Sequence, residues 1–210
     1  MIPYLSGALD GGPQEEFMIN PWSRIRSRPE RSFRVFSVRT DTAISPRTGL
    51  EHDFHIIESG DWVNIIPLTS DHRVVMVRQY RHGSRTVTLE IPGGLADSGD
   101  TPEKAAAREL LEETGYHAGR WTKLGAANPN PAIFNNRCYT FLAQDIQKVS
   151  NLAPDPTEDI EVVLIPLIDI PELIRTGEID HTIVIAAFSF YFLQTRHEEG
   201  GASETSNIPG

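Results

Sequence analysis

The feature that most constrains the fold of this chain is one capped helix that follows a run of extended segments. Thr101 is a favourable N-cap residue, Pro102 suits the first helical position, and Gly115 is a typical residue just past a helix end. The residues between these signals are good helix formers, and their apolar members share one face. The sequence therefore predicts a helix over residues 102–114.

Much of the remaining chain is predicted to form strands, because its segments are β-rich and bounded by turn residues. These segments are residues 33–39, 53–58, 61–68, 73–80, 86–91, 120–126, 136–143 and 160–165. The polar tetrapeptide 69–72 predicts a hairpin between two of the strands. Helices are predicted near residues 171–175 and 182–196. This pattern indicates the α/β class, with a mixed sheet packed between helices.

Composition narrows the classes of function. The chain has 210 residues, with 19 Lys and Arg against 29 Asp and Glu, and a formal net charge of −10. Such an acidic protein is poorly suited to nucleic acid or to an anionic membrane surface. The longest apolar stretch, Thr182–Leu193, is shorter than the roughly 20 residues of a membrane span. A single cysteine, Cys138, fits a reducing compartment and lies in a pattern typical of a core strand. We therefore expect a soluble cytoplasmic protein.

The predicted helix carries three carboxylates on one stripe. Glu109, Glu112 and Glu113 are spaced so that they share a helical face. Taken alone, the stripe could be a solvated acidic surface or a site for a hard divalent cation, which prefers carboxylate and phosphate oxygens. The preceding strand runs into a glycine turn at Gly93 and Gly94, where the backbone can approach a ligand closely. This glycine turn favours the cation site.

Residues 94–116 resemble the signature motif of the Nudix hydrolases. The motif reads Gly94, five residues, Asp100, seven residues, and then Arg108-Glu109-Leu110-Leu111-Glu112-Glu113-Thr114-Gly115-Tyr116. Asp100 stands where the family has a glutamate, and we expect activity to survive this change. From Trp22 to Leu193 the chain resembles the ADP-ribose pyrophosphatase branch, with matching features at residues 60–63, 78–81 and 89–94.

The resemblance implies a Nudix-type α/β/α sandwich with a mixed β-sheet. The implied domains are an N-terminal arm and β-rich extension over residues 1–58, a catalytic domain over 59–197 and a disordered tail over 198–210. In this branch the extension is used in dimerisation, so a homodimer is expected. Part of residues 1–30 is expected to be a poorly ordered arm, because the segment is rich in Gly, Pro and Arg without a sustained period.

The family also implies a metal site, which would hold Mg²⁺ with Mn²⁺ as a possible substitute. The backbone carbonyl of Gly93 and the carboxylates of Glu109 and Glu113 resemble the metal ligands. Glu112 adds charge to the site or orients ligated water. Arg108 is expected to hold the glutamates in place through charge-assisted hydrogen bonds.

A further carboxylate in the branch lies before the penultimate strand and matches residues 155–160. Glu158 is the best candidate for general base or additional metal ligand, and Asp159 and Asp155 are its rivals. On its composition alone this stretch could also be an ordinary acidic loop.

Other positions match the family's substrate contacts. Arg81 resembles the arginine that contacts substrate phosphates, although it could be a surface residue at a strand end. Phe36 and Phe54 match aromatics that sandwich the adenine across the homodimer, with Phe33 as an alternative; each could equally be a core side chain. Pro131 resembles a marker of ADP-ribose preference and could also be a simple turn residue.

Three functions are compatible with the sequence. The first is Mg²⁺-dependent hydrolysis of ADP-ribose to AMP and ribose 5-phosphate. The second keeps the mechanism but accepts nucleoside-diphosphate sugars broadly. The third is a sensor that binds the nucleotide sugar without catalysis, which the complete set of glutamates disfavours. All three imply a small-molecule partner rather than a nucleic acid or a membrane.

Overall fold

The structure is a computed structural model that describes residues 19–153 and 159–201, with side chains described up to Thr195. Its elements are β1 Ser23–Ser32, β2 Ser37–Ile44, β3 Glu51–Glu58, β4 Trp62–Pro67, β5 Arg73–Arg81, β6 Thr86–Glu90, β7 Gly93–Leu95, α1 Pro102–Thr114, β8 Tyr116–Ala127, β9 Cys138–Lys148, β10 Ile160–Pro166, α2 Ile170–Thr176 and α3 Thr182–Gly201. A 3₁₀ turn, Leu167–Asp169, joins β10 to α2. No helix in the described ranges is long and apolar enough to cross a membrane.

The strands form three sheets. The N-terminal extension is a three-stranded antiparallel sheet in the order β1-β2-β3. A second antiparallel sheet has the order β10-β5-β6. The third sheet, in the order β7-β4-β9-β8, is mixed, because β4 and β9 are parallel while its other neighbours are antiparallel. The predicted mixed sheet is confirmed.

Two helices cover opposite faces of the mixed sheet, as the side chains of β4 show. Val63 and Ile65 pack in one apolar cluster with Leu110 of α1. Ile66 points the other way, since alternate residues of a strand face opposite sides, and it packs in a second cluster with Phe188 of α3. Burying each such side chain contributes about 1.5–3 kcal/mol to folding. The result is the predicted α/β/α arrangement.

The predicted hairpin between residues 61–68 and 73–80 is wrong. These segments become β4 and β5, which lie in different sheets and meet only at a bridge between Leu68 and Val74. Each strand is central in its own sheet, so both of its edges are already paired. Strands covered on both faces carry continuous apolar runs, and the run Val74–Val77 is fully buried.

The N-terminal extension is more ordered than its composition suggests. Ser23–Ser32 forms β1 inside the segment expected to contain a poorly ordered arm. Every residue of β1 is exposed, so the strand has no apolar alternation to reveal it, and it is held by its pairing with β2. The predicted strand 33–39 is displaced, because residues 33–36 form a turn and β2 begins at Ser37. At the other end, α3 continues to Gly201, into the predicted tail; residues 1–18 and 202–210 lie outside the described residues.

Cys138 is buried at the start of β9, as predicted. Burial, with a smaller effect of Asp61, raises the pKa of its thiol to about 12. Because the thiolate is the reactive form, we expect a disulfide reagent at about pH 8 to modify the unfolded chain but not the native protein. Absorbance of the released thiol with and without denaturant measures this, and rapid native modification would contradict it. Between pH 9.0 and about 12 the native state keeps the proton of the Cys138 thiol, whereas the unfolded chain loses it. The free energy of unfolding therefore falls as pH rises through this range.

Candidate active site

The helix α1 occupies the predicted range, and its two ends explain why. The side chain of Thr101 accepts a hydrogen bond from the backbone N–H of Lys104, and Pro102 opens the first turn. Gly115 ends the helix with φ of 74°. A Cβ at Gly115 would lie 2.2 Å from the carbonyl oxygen of Ser150, so this position requires glycine for both conformation and space.

Two carboxylates of α1 lie against the glycine turn. Gly93 and Gly94 pair with β4 through the short strand β7. The backbone N–H of Gly93 donates to Oε2 of Glu113 at 3.0 Å. A Cβ on Gly94 would lie 2.5 Å from the carboxyl carbon of Glu109. The spacing of the glutamates and the lack of a side chain at Gly94 therefore bring the carboxylates of Glu109 and Glu113 to one stretch of backbone.

Arg108 links the remaining charges of the helix. Its Nη1 lies 2.9 Å from Glu109 Oε1 and 3.0 Å from Glu112 Oε2. Its Nη2 donates to the carbonyl oxygen of Leu95 at 2.9 Å. Burial disfavours the charged guanidinium, but the neighbouring carboxylates of Glu109 and Glu112 outweigh it and raise the pKa of Arg108. Arg108 thus sits where it can set the orientation of two glutamates.

The chemistry of these donors fits a divalent cation. Carboxylate and carbonyl oxygens are the ligands that a hard cation such as Mg²⁺ prefers, and Gly94 leaves backbone rather than a side chain beside the Glu109 carboxylate. In residues 19–153 and 159–201 no three His, Cys, Asp or Glu side chains converge as ligands of one ion.

A cleft of about 830 Å³ opens beside this helix. Among the predicted site residues it is lined by Phe36, Arg81, Gly93 and Glu113. Its walls come from the turn before β2, from β4, the β5–β6 turn, β7 and α1, and from the loop before α3. The volume is in the usual range for a small-molecule site. The fold thus gathers one predicted carboxylate, one predicted phosphate contact and one predicted aromatic into a single cleft.

Other predicted residues lie elsewhere. Phe54 is not in the cleft lining and packs edge-on against Trp22, with ring centroids 5.2 Å apart. Phe33 is also absent from the cleft lining and packs against Phe36, with ring centroids 4.7 Å apart. Pro131 is exposed in the loop before β9.

The candidate bases are placed only in part. Asp159 is exposed directly before β10. Glu158 and Asp155 lie outside the described residues.

Comparison with known proteins decides the family. A NUDIX domain model matches residues 59–188, well over half of the chain. The chain belongs to the NUDIX family. An ADP-ribose pyrophosphatase of Bacillus subtilis (strain 168) is 31% identical over 125 residues, covering 59% of this chain and 68% of that protein. A GDP-mannose pyrophosphatase of Escherichia coli (strain SMS-3-5) is 28% identical over 174 residues, covering 79% and 90%.

A solved structure shows the same fold. The crystal structure of an ADP compounds hydrolase superposes with a TM-score of 0.75 at 22% identity, over 86% of this chain and 97% of that one. The prediction of a Nudix hydrolase with this architecture is therefore confirmed.

The Nudix cleft contains a polar network that sequence reasoning missed. Glu90 is 2% exposed and accepts two hydrogen bonds from Arg81, at 2.8 and 2.7 Å. Thr88 donates to the same carboxylate at 2.6 Å, and Nδ1 of His181 lies 2.9 Å from it in an orientation that does not satisfy hydrogen-bond geometry. Burial alone would raise the pKa of Glu90, but Arg81 and His181 outweigh it and hold that pKa well below its ordinary value.

The sequence carried a weak signal for one of these residues. Glu90 stands between Leu89 and Ile91 in a predicted core strand, where an unpaired carboxylate would be costly. That position implied a cationic partner without naming it. His181 gave no comparable signal, because nothing near it in the chain marks it as a cleft residue.

An aromatic pair in the same Nudix cleft was also missed. Trp62 and Phe134 line the cleft with their rings edge-to-face, 5.7 Å between centroids. The indole N–H of Trp62 donates to the hydroxyl of Ser59 at 3.3 Å, which fixes the ring. With Phe36 these side chains provide an apolar wall suited to a flat base.

Proposed function

We propose that this Nudix hydrolase cleaves the diphosphate of ADP-ribose to AMP and ribose 5-phosphate, with Mg²⁺ as cofactor. The observation that carries the proposal is that Glu113 and Arg81 line one cleft together with Phe36. A carboxylate of the motif, a cation for phosphate and an aromatic for a base are the three recognition elements that such a substrate needs. Similarity to a relative named ADP-ribose pyrophosphatase supports the choice of substrate.

The metal would be held by the Gly93 carbonyl and the carboxylates of Glu109 and Glu113, with Glu158 as a further ligand. Mn²⁺ would be able to replace Mg²⁺ at such oxygen ligands. When bound, the ion supplies charge neutralisation at the diphosphate and lowers the pKa of the attacking water. Glu112 would add negative charge beside this set or orient a water.

The chain's own residues would then position the substrate and move one proton. Arg81 would bind the phosphate oxygens, and Arg108 would hold the glutamates in register. The water oxygen forms a bond to one phosphorus while the bond from that phosphorus to the bridging oxygen breaks. Glu158 would accept the proton of this water, with Asp159 and Asp155 as alternatives.

The base would stack in the aromatic part of the cleft, on Phe36. Phe54 would join the sandwich only from a second subunit, because within one chain it packs against Trp22. This arrangement requires a homodimer. The extension over residues 1–58 would form the dimer interface, and residues 59–197 would form the catalytic domain. Pro131 would shape the loop before β9 for ADP-ribose.

A broader substrate range is the second candidate. The similarity to a GDP-mannose pyrophosphatase extends over 79% of this chain, further than the similarity to the Bacillus subtilis relative. Residues 57–59 also lack the arginine that the resemblance to the ADP-ribose pyrophosphatase branch implies a few residues after Phe54. Both candidates keep the same metal site and mechanism, and they differ only in the contacts to base and sugar.

A substrate panel separates these candidates. ADP-ribose, ADP-glucose, GDP-mannose and UDP-glucose are incubated with Mg²⁺ or with EDTA, and a phosphatase then releases phosphate from the monophosphate products. Mg²⁺-dependent turnover that favours ADP-ribose supports the first proposal. Comparable turnover of several sugars supports the second. Binding of ADP-ribose without turnover of any substrate would contradict both and support the sensor.

A further inference from the structure

The loop before α3 brings a histidine to the cleft wall next to Arg81. Nη2 of Arg81 and Nδ1 of His181 both contact Oε2 of Glu90, at 2.7 and 2.9 Å. The Glu90 side chain is only 3% exposed, while the His181 side chain is 34% exposed and lines the cleft. One buried carboxylate therefore sets the positions of two cleft side chains that come from distant parts of the chain.

The backbone that carries His181 is also held in place. Its carbonyl oxygen accepts hydrogen bonds from the N–H groups of Val184 and Ile185, at 3.0 and 3.1 Å, in the first turn of α3. The carbonyl oxygen of Ile183 accepts a hydrogen bond from the buried side chain of Asn64 in β4, at 3.0 Å. His181 is thus attached to the mixed sheet that also carries the glycine turn.

The contact with Glu90 determines what the other side of the imidazole offers. The contact lacks good hydrogen-bond geometry, but an ionised carboxylate only accepts hydrogen bonds, so a hydrogen on Nδ1 avoids placing two acceptors 2.9 Å apart. In the neutral ring Nε2 then holds a lone pair. The Nε2 atom lies on the edge of the ring that faces away from Glu90. A partner that donates a hydrogen bond suits this atom, and sugar hydroxyls are such donors.

The surroundings of His181 favour a sugar over a base. Polar residues on the segments that carry Arg81 and His181 also line the cleft, among them Ser84 of the β5–β6 turn and Asp180 of the α2–α3 loop. The aromatic residues of the lining come from elsewhere, namely the turn before β2, β4 and the loop before β9. Hydroxyl and carboxylate side chains are typical partners of sugar hydroxyls, whereas flat bases prefer aromatic faces.

We propose that His181 contacts the sugar half of the substrate by accepting a hydrogen bond at Nε2 from a sugar hydroxyl, with Glu90 as its positioning residue. This inference rests on the proposed function, since it concerns the same cleft and the same class of substrate. It assigns specificity for the sugar to the loop before α3.

Two substitutions separate a ligand contact from a structural role. In His181→Asn the amide stands near the former Nδ1, so the contact to Glu90 can persist while the Nε2 contact is lost. In His181→Gln the amide reaches the former Nε2 position, so the ligand contact can persist while the Glu90 contact is lost. The dissociation constants of ADP-ribose and of ADP, which lacks the terminal ribose, are measured by calorimetry in EDTA, which removes the cation that the proposed turnover requires.

We expect His181→Asn to weaken ADP-ribose binding roughly five- to tenfold, the effect of one lost hydrogen bond, and His181→Gln to weaken it less than about threefold. ADP should bind equally to all forms. His72→Asn is the matched control, because His72 is exposed in a turn outside the cleft, with φ of 57°, a conformation that asparagine tolerates. Thermal unfolding of each variant checks that the fold is kept.

The outcomes distinguish this inference from the proposed function. If the wild type hydrolyses ADP-ribose and both His181 variants bind ADP-ribose as tightly as the wild type does, the inference fails and the proposed function stands. A greater loss in His181→Gln than in His181→Asn, for both ligands, would also overturn the inference, because it would show a purely structural role. If the panel selects another sugar, the series is run with that nucleotide sugar and its parent diphosphate, and the same order of variants supports the inference although the ADP-ribose proposal has failed.

Discussion

Replacing Glu113 with glutamine should lower kcat for the preferred sugar nucleotide at least about a hundredfold. Glu113 is 2% exposed and accepts a hydrogen bond from the Gly93 backbone at 3.0 Å. The amide oxygen of glutamine can accept the same bond, so the fold should persist while the negative charge offered to the cation is lost. The measurement is kcat and KM over a Mg²⁺ titration, with the melting temperature recorded for each form.

The matched control for this substitution is Glu103→Gln. Glu103 is exposed in the first turn of the same helix and outside the cleft, so the change removes one carboxylate from α1 without touching the site. We expect the control to keep kcat close to that of wild type. Near wild-type turnover of Glu113→Gln would remove Glu113 from the catalytic site and would leave the motif's role in this chain without support.

Alanine substitutions at the two adjacent glycines should affect different properties, namely stability at Gly93 and activity at Gly94. A Cβ at Gly93 would lie 2.3 Å from the carbonyl oxygen of Val63, which is backbone of the central strand β4 and has little room to move. We expect Gly93→Ala to lower the free energy of unfolding by about 3 kcal/mol or more. At Gly94 the Cβ would meet the carboxylate of Glu109 at 2.5 Å, and a flexible side chain can swing away. Gly94→Ala should therefore keep most of its stability but lose activity, because Glu109 leaves its place.

Denaturant unfolding and kcat, measured on the same preparations, test this pair. Gly60→Ala serves as the control, since a Cβ there would have its nearest neighbours at 3.4 and 3.6 Å. Equal stability losses at Gly93 and Gly94 would contradict the difference between a backbone neighbour at Gly93 and a side-chain neighbour at Gly94. Full activity of a folded Gly94→Ala protein would show that the position of the Glu109 carboxylate does not matter for turnover.

Local sequence signals determined the helix that carries the chemistry. Thr101, Pro102 and Gly115 act within a few residues of the positions they specify, so the bounds of α1 could be predicted from the chain alone. The shared face of the three glutamates follows from helical geometry for the same reason. The family could also be recognised from the sequence, because the residue spacing that defines the motif is local.

Strand pairing, in contrast, depends on residues that are remote in sequence. The segments that became β4 and β5 were recognised as strands, but pairing them as a hairpin was wrong, because their partners are remote in sequence. Residues 69–72 link two sheets rather than turning within one. The exposed strand β1 had no apolar alternation and exists through its register with β2.

Only the tertiary structure decided which side chains share the cleft. It placed Phe36 and Arg81 there and left Phe54 beside Trp22. It also joined Glu90 to His181, a contact between β6 and the loop before α3 that no spacing rule predicts. The sequence by itself determined the catalytic helix and its carboxylates, since caps and helical periodicity are short-range. The substrate-facing walls depend on long-range packing of sheets and loops, so they became visible only in the folded chain.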